Sequence, residues 1–458
     1  MQWLVTLGAG DLPRADAVSP DARIAAFTLG VALLTGVLFG LLPAMRASRA
    51  DVGGILREGG RTGTEGRSRF GARGGIIVAE TALAMVLLVS AGLMLKSFWR
   101  LVNVDPGFRA ENVLVLSITP PETEYENAVD LIEYRSRLIE RLKQIPGVAA
   151  VGGSKTLPLR GGGEEYEFHR GDRPEVTVKP EAGVFMVTPE YFRALGIPLL
   201  RGRDFTESME RDRLSIIVNQ ALANRTWPGE DLLDKKLRLP RFDDAELPVI
   251  GVVGNVRSEG LTAEPQGALY VSMMGPFSRS TSKLFVRTTT NPLAIIGAVR
   301  AAIHELAPNQ PISDVTTLQQ LVAGTVARPR LFTTLIAGFG GAAMVLALLG
   351  IYGVTSYAVS RRSREIGIRK ALGAQNLSVL EMVLGRSLVL AGSGVVIGAA
   401  AALAVTRVLA SQLYGVSTTD PATFIGVALL LIAVALLAAS VPARRATRVD
   451  PMIALRAE

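Results

Sequence analysis

Arg361-Arg362-Ser363-Arg364-Glu365-Ile366-Gly367-Ile368-Arg369-Lys370-Ala371-Leu372-Gly373-Ala374 is a short basic stretch set between two long apolar runs. Its reading decides the architecture. As a helix it puts Ile368 and Leu372 on one face and pairs Glu365 with Arg369 one turn apart on another, a small apolar stripe framed by charges. Gly373 is expected to end that helix. Such a segment between two spans is either a positive loop that only fixes topology or a knob that docks on another protein.

The surrounding composition belongs to a membrane protein with a large wet part. Apolar residues make up 49% of the chain and charged residues 20%, while mean hydropathy is +0.33; the two demands are met in different stretches. Cysteine is absent, which excludes a disulfide framework, a thiolate metal site and a cysteine nucleophile. The net charge of +8 could suit nucleic acid, but Arg and Lys sit beside apolar runs and are not interleaved with aromatics, so a lipid bilayer is the expected partner and nucleic acid is not.

Five apolar runs approach the roughly 20 residues needed to cross a bilayer: Phe27 to Met45, Ile76 to Leu95, Phe332 to Ile351, Ser387 to Val405 and Phe424 to Val441. The second carries Glu80, read first as a snorkelling or capped interfacial acid and second as a functional intramembrane carboxylate. The fourth holds Gly392, Gly394 and Gly398, small residues that let helices approach closely. The expected fold class is therefore a multi-pass α-helical membrane protein of about five spans.

Orientation follows from the basic flanks. The linker from Arg46 to Arg73, the loop around Glu365 and the tail with Arg444, Arg445, Arg448 and Arg456 are all rich in arginine, which places them in the cytoplasm. Five alternating crossings then export the long stretch between Trp99 and Arg330 and also the first residues, although Met1 to Arg23 shows no signal peptide. An internal repeat accounts for that start: Pro43-Ala44-Met45-Arg46-Ala47-Ser48-Arg49-Ala50-Asp51 is echoed by Pro442-Ala443-Arg444-Arg445-Ala446-Thr447-Arg448-Val449-Asp450, and Leu56-Arg57 by Leu455-Arg456 at the same offset.

The string Glu365 to Ala374 closely resembles the signature of the MacB/FtsX-like ABC transporter permeases. Thr188-Pro189-Glu190-Tyr191-Phe192, Gly196-Ile197-Pro198 and Gly202-Arg203-Asp204-Phe205 resemble the periplasmic core domain of MacB-type permeases. The Asp11-Leu12-Pro13 opening and the Pro-Ala-x-Arg-Ala endings resemble tandem-duplicated permeases of acidobacteria. The resemblance implies the following organisation: 1–45 the end of a preceding permease half with one span, 46–74 a flexible basic cytoplasmic linker, 75–98 a transmembrane helix, 99–330 an extracytoplasmic MacB-like core domain, and 331–458 an FtsX-like permease domain with three spans and a coupling loop. It further implies an inner-membrane address, a separate ABC ATPase as partner, a second permease half or subunit, and a periplasmic partner. Glu365, Gly367, Ile368, Arg369, Lys370, Leu372 and Gly373 are the residues it assigns to ATPase coupling.

The outer stretch reads as mixed α+β. Val113 to Ile118 suits a buried strand; Leu131, Tyr134, Leu138 and Leu142 follow helical spacing until Pro146-Gly147; Val249 to Val253 and Leu284 to Val286 are further strands. Asn291 is expected to cap a helix with Pro292 in its first turn and Ile296, Val299, Ile303 and Leu306 on its buried face.

No catalytic constellation emerges. Lys96-Ser97 lacks the spacing of a phosphate-cradling loop, and His169 and His304 have no ligand-spaced companions. Glu164-Glu165 and Asp243-Asp244 read as solvated loops, and Arg201 to Asp204 as an exposed turn. Neither enzymatic activity nor any cofactor or metal is expected. The reading is a permease subunit of a MacB/FtsX-type ABC system, which in that family carries ATPase-driven motion through the membrane to the outer domain for efflux or envelope export, a mechanism called mechanotransmission. The alternative is a membrane-anchored scaffold or regulator that recruits an envelope partner without transport; it would need no ATPase-docking loop.

Overall fold

A long helix, α1 (Glu65–Val102), leads the succession of elements in this computed structural model. The structure describes residues 65–119, 128–161, 163–171, 181–206, 215–240, 245–273, 282–361, 363–372 and 375–447, with a few helical residues between 22 and 37. The first apolar run, Phe27 to Met45, lies mostly outside them.

In chain order there follow β1 (Val113–Ile118), α2 (Ala128–Lys143), β2 (Val148–Ser154), β3 (Glu164–Glu167), β4 (His169–Arg170), β5 (Glu181–Val187), α3 (Tyr191–Leu195), β6 (Leu199–Gly202), β7 (Ile216–Asn219), α4 (Gln220–Thr226), β8 (Lys236–Leu239), β9 (Ala245–Val253), β10 (Ala268–Ser272), β11 (Ser282–Thr288), a 3-10 turn (Pro292–Ile295) running into α5 (Ile296–Leu306), and β12 (Ile312–Thr317). The chain then enters α6 (Leu318–Arg361), α7 (Ser363–Ala371), α8 (Asn376–Val408) and α9 (Pro421–Thr447). Two compact units result, Arg100–Arg328 and the remainder.

In the α+β unit the strands order as β12-β1-β11-β2-β5-β10-β7-β9-β8-β4, with β3 on β5 and β6 on β9. The β5–β10 and β7–β9 pairs are parallel, and the other pairings are antiparallel. Two apolar cores flank this sheet. One packs Leu131, Tyr134, Leu138 and Leu142 of α2 and Val299 and Ile303 of α5 against β1, β2 and β11, the faces expected from their 3.6-residue spacing. Asn291 caps the turn before α5, its Oδ1 accepting from Leu293 N at 3.0 Å. The other gathers Leu222 and Trp227 with Ile216, Val218, Val249 and Leu269.

Glu164-Glu165 proves to lie in a strand, not a loop: β3 pairs with the edge of β5 and keeps its charges exposed, with Glu164 bound to Lys155 at 3.0 Å. Asp243-Asp244 lies outside the described residues. Arg201 and Gly202 likewise belong to a strand, β6 paired on β9, where a fully exposed run lacks the alternation that would betray it.

Four helices among the described residues are long and apolar enough to cross a membrane: Gly74–Val102, Leu318–Arg361, Leu377–Val408 and Pro421–Thr447. Ala84, Met85, Val89 and Leu93 of α1, Ala347 of α6, Val395 and Ala402 of α8 and Leu431 of α9 form their common core. Glycines set the approach of α8 to α1, because a Cβ at Gly394 would stand 2.6 Å from Thr81 Cβ and one at Gly398 2.7 Å from the Ala82 carbonyl. Gly392 faces open space, so the three glycines of that run are not equivalent. Glu80 Oε2 is buried against Gly350 of α6 and has no hydrogen-bond partner among the described residues. The contact of this oxygen with α6 is a tertiary relationship that a one-dimensional pattern does not contain.

Candidate functional site

The basic segment is a separate short helix, α7, placed between α6 and α8. One apolar residue roots it: Ile366 is 1% exposed and packs with Val359 at the end of α6, Val379 and Val383 of α8 and Ala446 of α9. Below that contact a small, mostly apolar cavity of about 70 Å³ is bounded by Ile77, Val354, Thr355, Ile366 and Ser387. Its polar floor is the Thr355 and Ser387 hydroxyl pair at 3.1 Å.

On the outward side Ile368 is 42% exposed and Leu372 82% exposed. They are one turn apart, and Leu372 N donates to Ile368 O at 3.0 Å, so the two apolar side chains present a continuous stripe. Arg369 Nη2 lies 2.8 Å from Glu365 Oε1, the i,i+4 pair that the spacing implies, and Arg369 Nη1 reaches Met382 Sδ on α8 at 3.6 Å. Glu365 is thereby held beside the stripe and Arg369 tied back to α8. Gly367 is buried. Of the remaining candidate residues, Lys370 lies within α7, and Gly373 lies outside the described residues. Sequence reasoning missed Ile366 as the anchor. The apolar alternation Ile366-x-Ile368 looks like one stripe in the string, but on a helix it points to two sides.

Lys96 and Ser97, also singled out in the sequence, serve structure. Lys96 Nζ binds Asp420 Oδ1 at 2.8 Å, and Ser97 Oγ accepts the Tyr414 amide at 2.7 Å, so both tie α1 to the loop between α8 and α9. Hydrogen bonds from Lys96 and Thr423 hold the Asp420 carboxyl down at about 2. His304 is exposed on α5 and His169 half-buried on β4. Among the described residues no group of three or more His, Cys, Asp or Glu side chains is arranged to hold a metal.

Comparison with known proteins gives two family matches: residues 74–306 match the MacB-like periplasmic core domain, and residues 337–451 match the FtsX-like permease C-terminal region. The macrolide export ATP-binding/permease protein MacB of Marinobacter nauticus is 24% identical over 275 residues, covering 57% of this chain and 41% of that protein. The pyoverdine export ATP-binding/permease protein PvdT of Pseudomonas putida is 24% identical over 397 residues, 84% of this chain and 56% of that protein. The chain thus spans about half the length of these two relatives. The uncharacterized ABC transporter permease YknZ of Bacillus subtilis is 25% identical over 403 residues, covering 84% of this chain and 94% of that one. Among solved structures, the periplasmic region of MacB from Actinobacillus actinomycetemcomitans aligns with a TM-score of 0.31 at 12% identity, over 48% of this chain and 95% of that one.

Proposed function

Because this chain belongs to the MacB/FtsX-like ABC transporter permease family, a family of multi-pass permeases of the inner membrane, we propose that it is the permease subunit of an ABC system whose ATPase is a separate chain. ATP-driven motion of that ATPase enters through α7 and passes along the spans to the extracytoplasmic α+β domain, in the service of efflux or envelope export. The permease half preceding this one comes from the same tandem-duplicated gene product, a reading supported by the echo of Pro43 to Asp51 in Pro442 to Asp450.

One observation carries the proposal: α7 is rooted by a buried isoleucine and offers two exposed apolar side chains to water. An exposed apolar stripe on a seated helix is the form that lies in an apolar groove of a partner. The coupling residues are Glu365, Gly367, Ile368, Arg369, Lys370, Leu372 and Gly373.

The test is copurification of the ATPase with full-length variants. Ile368→Asp or Leu372→Asp would place a carboxylate in a desolvated contact, so each is expected to abolish ATPase retention and coupled hydrolysis while membrane insertion stays normal. Arg361→Ala is the control for a loop acting by charge alone. Variants that insert normally and hold the ATPase like the parent would sink the coupling assignment in favour of a scaffold.

A further inference from the structure

A polar pocket of about 440 Å³ lies in the α+β domain beside α4, over the face of the β6–β9 pair. Arg201 and Val252 are Cα partners across that pair and both line it. From α4 come Gln220 and Asn224, one helical turn apart and both exposed. Trp227 is buried at its edge, with an indole Nε1–H that has no acceptor among the described residues.

The side chains of Arg201, Gln220 and Asn224 make no hydrogen bond or ion pair among the described residues. Among the described residues Asp231 accepts only the Leu233 amide, at 3.4 Å. Glu230 is already committed: it binds Lys235 and lies 3.6 Å from Arg170 Nη2, while the Arg170 guanidinium stacks 5.3 Å from the Trp227 ring. The uncommitted groups are therefore two carboxamides, one cation and one carboxylate, with no net charge between them.

That set selects a chemical class. A phosphate or other dense anion would meet one free cation and be repelled by Asp231. A cation would meet one free carboxylate and be repelled by Arg201. A purely apolar ligand would strip water from two carboxamides and return nothing. Each carboxamide both donates and accepts, and with Asp231 and Arg201 they form a mixed set lining one pocket with Leu200, Leu232 and Val252. Such a set complements a ring bearing hydroxyls on its edge and C–H groups on its face. The recognising groups are side chains, two from α4, one from β6 and one from the loop after α4, and not the free main chain of a strand edge, which disfavours an added peptide strand.

We propose that this pocket binds a saccharide unit. The assignment is independent of the coupling role of α7. The full chain, reconstituted in nanodiscs free of glycoside detergents, is titrated with maltose, with N,N′-diacetylchitobiose and with triglycine, following saturation-transfer NMR. At least one of the two sugars is expected to bind saturably while triglycine does not. The double variant Gln220→Ala/Asn224→Ala, which keeps two helix-forming residues on α4, is expected to weaken that affinity at least tenfold. Arg201→Gln, on an exposed strand position, is expected to weaken it as well and serves if α4 does not tolerate the double change. Absence of saturable sugar binding by the parent, unchanged affinity in folded variants, or binding of triglycine in place of sugar would each overturn the proposal.

Discussion

Lys96 Nζ and Asp420 Oδ1 stand 2.8 Å apart, joining the last turns of α1 to the residue that precedes α9. Asp420 also accepts from the Thr423 hydroxyl at 2.6 Å and its amide at 3.1 Å, so one carboxylate both caps α9 and ties it to α1. Close by, a Cβ on Gly92 would come 2.8 Å from Thr423 Cγ2, and the ion pair and the helix contact are set at the same separation.

Asp420→Asn should lower the thermal midpoint of the purified protein, and Lys96→Met should do the same with little further loss in the double variant. The pH dependence has a definite sign. Because the folded carboxyl is held at about 2, below its ordinary value near 3.9, its contribution is complete above about pH 4 and disappears as pH falls through about 2. A midpoint in the parent that declines already between pH 7 and 5, by an amount Asp420→Asn abolishes, would contradict this assignment.

Gly398 and Gly392 offer a contrast within one apolar run. Gly398→Val forces a branched side chain against the Ala82 backbone, 2.7 Å from the Cβ position, and overpacking of this kind costs about 1–3 kcal/mol. Gly392→Ala meets nothing within 4 Å and should be neutral. Equal midpoints for the two variants, measured in the same detergent, would show that α1 and α8 are not packed through this face.

Ile366→Ala removes the root of α7 without touching its outward stripe. Truncating a buried isoleucine costs about 2–5 kcal/mol, here felt first by the short helix that it seats. Limited proteolysis between Arg361 and Gln375 should accelerate, and ATPase retention should fall although no surface group has changed. Slow cleavage equal to that of the parent would mean that the helix is held by something else.

Asn219 is fully buried and caps α4: its Oδ1 accepts from Leu222 N and Ala268 N, both at 2.9 Å, and its Nδ2 donates to Gln266 O at 2.7 Å. Asn219→Ala leaves these three main-chain groups without partners, a loss of about 2–3 kcal/mol. Denaturant titration of the full chain, read by Trp227 fluorescence, should show it. Asn219→Asp recovers the cap but not the donor to Gln266, and is expected to fall between.

Reporter fusions test the orientation. A fusion near Gly229 should report outside the cytoplasm, and fusions near Gly63 or Gln375 inside it, since arginine-rich flanks remain cytoplasmic.

Elements whose burial repeats with a regular period were legible in the sequence. Val113–Ile118 is buried along its whole length, and α2 buries Leu131, Tyr134, Leu138 and Leu142, so composition and spacing carry the same information as the fold. Strands β3 and β6 were not legible, because Glu164–Glu167 and Leu199–Gly202 are short, exposed edge strands placed by their neighbours. The short helix α7 was half legible. The Glu365–Arg369 pair and the Ile368 and Leu372 stripe follow from helical spacing, whereas the anchoring role of Ile366 depends on Val379 and Ala446, which come from other helices. The Glu80 contact with Gly350 was hidden for the same reason.

The sheet order places β1 between β11 and β12, and this fixes the sequence of events by which the domain is made. Residues 113–118 emerge from the ribosome and cross the membrane as a strand apolar but for Ser117, yet both ladder partners arrive only with residues 282–317. Until then β1 has two open edges and no sheet to join. Long-range pairing of this kind folds slowly, and an orphaned apolar strand is the natural starting point for association with the wrong chain. The last segment to supply a partner, Ile312–Thr317, is followed at once by the α6 span, so the domain is completed as the chain re-enters the bilayer. A chain interrupted before Ile312 would accumulate as an adhesive fragment, and quality control in the envelope has this interval in which to remove it.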